Sequence, residues 1–87
     1  MEDAEVMAQV RDGRIERLSV LFERHHLRLF NFFLRLTGQR GAGEDLAQEV
    51  FLRMLRYRSS YRPDSPFLPW MWQIARNVHR DHLGALQ

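Results

Sequence analysis

Eighty-seven residues are enough for one hydrophobic core and too few for two, because the fraction of surface a chain can bury falls steeply as it shortens. With 45% apolar residues and no cysteine, that core forms without disulfides, and thiolate metal sites are excluded. The acidic, polar start is unlike a secretory signal and no stretch has the apolar length of a membrane span, so a cytoplasmic chain with no membrane partner is expected. The formal charge of +2 is unevenly spread: residues 1–16 carry five acids against Arg11 and Arg14, whereas residues 50–62 carry Arg53, Arg56, Arg58 and Arg62 and no acid. A stretch of that kind suits phosphates, although a solvated helix face has the same composition.

Apolar residues recur at spacings of three and four, and no run alternates as a strand would, so the expected fold is all-α, a compact bundle of about four helices. The first helix, about Asp3 to Asp12, sets Val6, Met7 and Val10 on one side, and Gly13 is a natural stop. A second, about Ile15 to Leu36, repeats Leu18, Leu21, Phe22, His25, Leu29, Phe32, Phe33 and Leu36 at helical spacing and ends at Thr37-Gly38. After a glycine-rich joint, Glu44 and Asp45 suit the start of a third helix reaching about Tyr57, with Leu46, Ala47, Val50, Phe51, Met54 and Leu55 inward. Arg58 to Ser65 reads as a loop, after which Ser65 and Pro66 suit the N-cap and first position of a fourth helix. That helix runs to about Leu83, with Phe67, Trp70, Met71, Ile74, Ala75, Val78 and His82 inward.

The third helix holds Asp45-Leu46-Ala47-Gln48-Glu49-Val50-Phe51-Leu52-Arg53, and the fourth Phe67-Leu68-Pro69-Trp70-Met71-Trp72-Gln73-Ile74-Ala75-Arg76-Asn77. These two blocks, in this order after a long amphipathic helix ending Leu-Thr-Gly, resemble conserved region two of the extracytoplasmic-function (ECF) sigma factors over nearly the whole chain. The resemblance implies a transcription initiation module, not an enzyme, with no cofactor. Its partners would be core RNA polymerase, promoter DNA and, in some members, an anti-sigma factor. By the same resemblance, Asp45, Gln48 and Glu49 correspond to the polar face that docks on the clamp helices of the largest catalytic subunit. Helical spacing puts Leu52, Arg53 and Arg56 on that face, opposite the inward side. The loop from about Ser59 to Ser65 and the outer side of the fourth helix resemble the reader of the minus-ten element on the unwound non-template strand. Unstacked bases need aromatic or planar cationic platforms and their backbone needs positive charge, which Tyr61, Arg62, Trp72, Arg76 and Arg80 supply. Asn77 carries the donor and acceptor needed to read a base edge, while Trp70 falls on the inward stripe.

Pro66 and Pro69 bracket Phe67 where other residues are usual in that family, and His79 replaces a commoner small or apolar residue. Family members also carry a second helical domain that reads the minus-thirty-five element; here the chain stops at Gly84-Ala85-Leu86-Gln87, so an isolated domain is expected. His25-His26 and the pair His79 and His82 invite a metal site, but a closed zinc site usually takes four ligands, so none is assigned. No nucleophile and base pair or phosphate-cradling loop stands out. The competing readings are a helical protein-interaction module, such as one that captures a regulator, and a double-strand helix-turn-helix domain. The second fits poorly, because an eight-residue, largely polar loop replaces its tight turn.

Overall fold

The computed structural model describes residues 1–86. Four α-helices occur among them: α1 (Asp3–Arg11), α2 (Leu18–Thr37), α3 (Arg40–Arg56) and α4 (Phe67–Ala85), with single 3-10 turns at Ile15–Arg17 and Arg58–Ser60 and no strand. The all-α, four-helix architecture is the one the apolar spacing predicts. α2 is the central element. It packs most extensively on α3, which in turn meets α4, while α1 crosses α2 and touches both the Arg58–Ser60 turn and the start of α4.

Each boundary has a local cause. α1 begins where the Glu5 carboxylate accepts the Glu2 backbone N–H at 3.1 Å, and stops where Gly13 turns the chain at φ 108°. Arg17 then donates back to the Gln9 side chain at 2.8 Å, fastening the turn to α1. α2 ends at Gly38, whose left-handed φ of 70° lets its N–H reach the Leu34 carbonyl at 2.8 Å; the Thr37 hydroxyl covers the Phe33 carbonyl at the same distance.

α2 opens at Leu18, after the Ile15–Arg17 turn and not at Ile15, and two further boundaries differ from the sequence reading. α3 opens at Arg40, four residues before Glu44, so Gly41 and Gly43 lie inside the helix instead of forming a joint. Glycine there weakens a helix by about 1 kcal/mol relative to alanine, and packing offsets the cost at Gly43. It is buried against α2, where an added Cβ would stand 3.2 Å from the Phe30 ring and 3.4 Å from the Leu34 backbone nitrogen. The second correction concerns Ser65. Its side chain does not cap α4, which starts one residue later with extended Pro66 at the N-cap, and Pro69 falls in the first turn. The Ser65 backbone is used inside the preceding turn, its N–H donating to the Arg62 carbonyl at 2.9 Å.

The core joins Val6, Met7 and Val10 of α1, Leu21, Leu29 and Phe33 of α2, Leu46, Ala47, Val50, Phe51 and Met54 of α3, and Phe67, Met71, Ala75 and Val78 of α4. Leu18, Phe32, Trp70 and Ile74 close its edges, half-buried. Phe22, 40% exposed, and Leu36 depart from the expected inward stripe, because each lies at its margin. One polar side chain belongs to this interior. His25 is 4% exposed, its Nε2 2.9 Å from an Asp3 carboxylate oxygen whose twin accepts a 3.0 Å bond from Arg24. Burial raises the Asp3 pKa, but the Arg24 hydrogen bond, with the charges and bond of the two partners, outweighs it and holds the carboxyl below its ordinary value.

Candidate functional site

Two surfaces carry the residues singled out in the sequence. On α3, Asp45, Gln48, Leu52 and Arg56 are exposed, and the Leu52 side chain stands 55% open among polar neighbours. A single exposed leucine is common on protein surfaces, and this one stands on a helix face whose other exposed side chains are polar. Because α3 begins at Arg40, Glu44 and Asp45 lie beyond its first turn, where the helix dipole has little hold. Their charge is therefore free for an external partner.

The same face contains a fixed part. Arg53 is half-buried; its guanidinium bonds Glu49 at 2.9 Å and Asp81 of α4 at 2.8 Å. The Glu49 bond, more than the burial that opposes it, raises the arginine pKa, and Asp81 adds to the effect. Glu49 and Arg53 thus fasten α3 to α4. A shallow groove lined by Phe22, His26, Phe30, Glu44, Ala47 and Gln48 continues the face toward α2, with the Phe22 and His26 rings stacked at 4.7 Å. Phe22 was missed as a surface residue because its spacing also fits the buried stripe.

The second surface comprises the 58–66 turn and the outer side of α4. Here Tyr61 corrects the expectation of an exposed stacking platform. It is 1% exposed, its ring lies 5.0 Å from Trp70 and 6.3 Å from Phe67, and its hydroxyl donates a 2.6 Å bond to the Ser65 carbonyl. Burial first, then the charges of Asp3 and Asp64, raises the phenol pKa, so it remains a neutral donor. Tyr61 shapes the turn from inside. Arg62, by contrast, is exposed at its rim.

On α4, Trp72 is half-buried instead of turned away from the core: its ring meets Phe32 of α2 edge-on at 5.1 Å. Part of it remains available. Arg76 and Arg80 are exposed. Arg76 donates to Gln73 Oε1 at 3.1 Å, and Gln73 Nε2 donates to Asn77 Oδ1 at 3.3 Å, so three side chains form one polar chain along the helix. Gln73 has no special pattern in the sequence; only the i, i+3 and i, i+4 spacing to Arg76 and Asn77 points to it. The Asn77 amide hydrogens, unlike its oxygen, have no partner within the described residues.

Among the described residues no three His, Cys, Asp or Glu side chains come together as a metal site, and no helix is long and apolar enough to cross a membrane.

Residues 21–87 match the model of the sigma-70 region 2 family. The RNA polymerase sigma factor CarQ of Myxococcus xanthus is 39% identical over 77 residues, 88% of this chain and 44% of that protein. RNA polymerase sigma-H factor of Pseudomonas aeruginosa is 26% identical over 97% of this chain, and the ECF RNA polymerase sigma-E factor of Escherichia coli 27% over 98%, each across 44% of the relative. The chain thus spans less than half the length of these relatives. No solved structure matches it significantly.

Proposed function

Because the chain belongs to the sigma-70 region 2 family and is similar to ECF sigma factors, we propose that it is a transcription initiation domain. It docks on the clamp helices of core RNA polymerase through α3 and presents the 58–66 turn and α4 to the unwound non-template strand of the minus-ten element. The observation that carries the docking half is the outer face of α3, where Asp45, Gln48, Leu52 and Arg56 are exposed around one apolar side chain. Charged and polar groups of that kind set orientation and encounter rate, while the buried apolar centre contributes most to holding the complex. Glu49 and Arg53 act one step back, keeping α3 and α4 in register. The half-buried Trp72 offers a stacking edge, Arg62, Arg76 and Arg80 meet backbone phosphates, and the free Asn77 amide hydrogens read a base edge. No step is catalytic, and the role is a cytoplasmic one. An anti-sigma partner would act by covering Leu52 and the adjoining Phe22 groove.

The test is retention of core polymerase by the immobilised chain. Asp45→Lys combined with Leu52→Glu touches no intramolecular bond and should abolish retention while leaving the thermal midpoint unchanged. Undiminished retention would overturn the assignment of α3.

A further inference from the structure

We propose that the surface engaging single-stranded DNA extends from α4 onto α2, where Arg28 and Arg35 hold the backbone of the same strand. Positions 28 and 35 are seven apart, two helical turns, and so lie on one side of α2, about 10 Å apart along its axis. Both are exposed, and neither has a carboxylate in ion-pair range among the described residues. Arg24, on the same strip, is instead held by Asp3. The only acid of α2, Glu23, is turned about 140° from Arg28 and about 120° from Arg35 at about 100° per residue.

The packing brings this strip beside α4. Arg24 borders a hollow shared with Pro66, Phe67, Leu68 and Pro69; Phe32 meets Trp72; Leu36 borders a groove with His79, His82 and Leu83. The ring contacts of His25 with Phe67 and of Phe32 with Trp72 advance together along both helices, so α2 and α4 run in the same direction with these side chains between them. The Phe32 and Trp72 contact is the seam. Helical phase sets the exposed Arg28 and Arg35 on the flank of α2 next to Phe32, and the exposed Arg76 one turn after Trp72 on α4. Three exposed arginines on the two helix flanks beside a half-buried indole would combine the positive track and the stacking group that single strands require. This assignment extends the strand-binding reading above to a second helix.

The experiment uses the chain bound to core polymerase and a fluorescent non-template oligonucleotide spanning a minus-ten element, titrated at several salt concentrations. Arg28→Gln with Arg35→Gln should weaken binding on the order of tenfold and flatten the log–log salt slope by about 1.4, since each single-strand phosphate contact contributes about 0.7. Lysine at both positions should restore slope and affinity, and the ranking of different minus-ten sequences should not move. Arg11→Gln with Arg14→Gln, near the end of α1, serves as the control for bulk charge and should change neither quantity. A double variant with the parent's slope and affinity, while the parent binds normally, would overturn the α2 track and leave the role of α4 standing. Failure of the parent complex itself to bind the strand would overturn both.

Discussion

The two faces of this domain are built from different materials. The outer face of α3 consists of polar side chains and one leucine on a regular helix, and four of its six predicted residues stand in solvent as the helical spacing requires. The turn and α4 face was predicted to display aromatics, and there the interior has claimed much of the display: Tyr61 entirely, Trp72 in part. Burying a large ring is worth several kcal/mol on the usual area scale, more than a surface platform gains before DNA arrives, so an aromatic near an unfilled core is drawn inward. The proposed docking face is thus set by charge and exposure, whereas the proposed reading face is what remains after the core has been packed.

The largest expected effect breaks this contrast directly. Tyr61→Ala should cost about 3 kcal/mol or more, in the range for Phe33→Ala, whereas Leu52→Ala on the docking face should stay within about 0.5 kcal/mol. Denaturant melts of the three variants check this, and a stable Tyr61→Ala would return that ring to the surface. Tyr61→Phe keeps the ring and removes only the 2.6 Å bond to Ser65, so about 1 kcal/mol is expected. Arg53→Ala cuts the tie between α3 and α4 made through Glu49 and Asp81; these groups are partly exposed, so about 0.5–1 kcal/mol is expected, shrinking with added salt.

A further effect of similar size is the dependence on pH at the node between α1 and α2. The folded Asp3 carboxyl has a lowered pKa, so its contribution is fully present above the unfolded value near 3.8 and is lost as pH falls through the folded value. Asp3→Asn should therefore lower stability by about 0.5–1 kcal/mol at neutral pH, and the difference from the parent should narrow below pH 3.8. Melting both proteins from neutral to acid pH measures it; a gap that widened in acid would contradict the assignment.

How much of this was legible in the sequence follows from locality. Val6, Met7 and Val10, or Val50, Phe51 and Met54, are phased by their own helices, and all six are buried as their spacing implies. Thr37-Gly38 ends α2 because the left-handed turn is a property of glycine. Tyr61 had no periodicity to phase it, being in an irregular turn, and its burial depends on Trp70 and Phe67 coming back over it. Glycine usually marks a break, so the sequence points to a later start for α3 than the structure has, and only the close approach to Phe30 shows why Gly43 suits a helix. Arg53 was placed correctly on its face, yet its partner Asp81 is 28 residues away and no local pattern connects them. The strip at Arg28 and Arg35 gained meaning only once α2 was found parallel to α4.

The central claim is a division of labour, in which α3 holds polymerase and α4 reads the strand, and Asn77→Ala tests it most directly. In a full-length sigma factor carrying this domain, polymerase affinity and transcription from promoters differing only in the minus-ten element would be measured side by side. The account predicts polymerase affinity within about twofold of the parent and a promoter ranking altered by about tenfold, the discrimination of one edge-reading amide. An equal loss at every promoter, or a loss of polymerase binding, would contradict it.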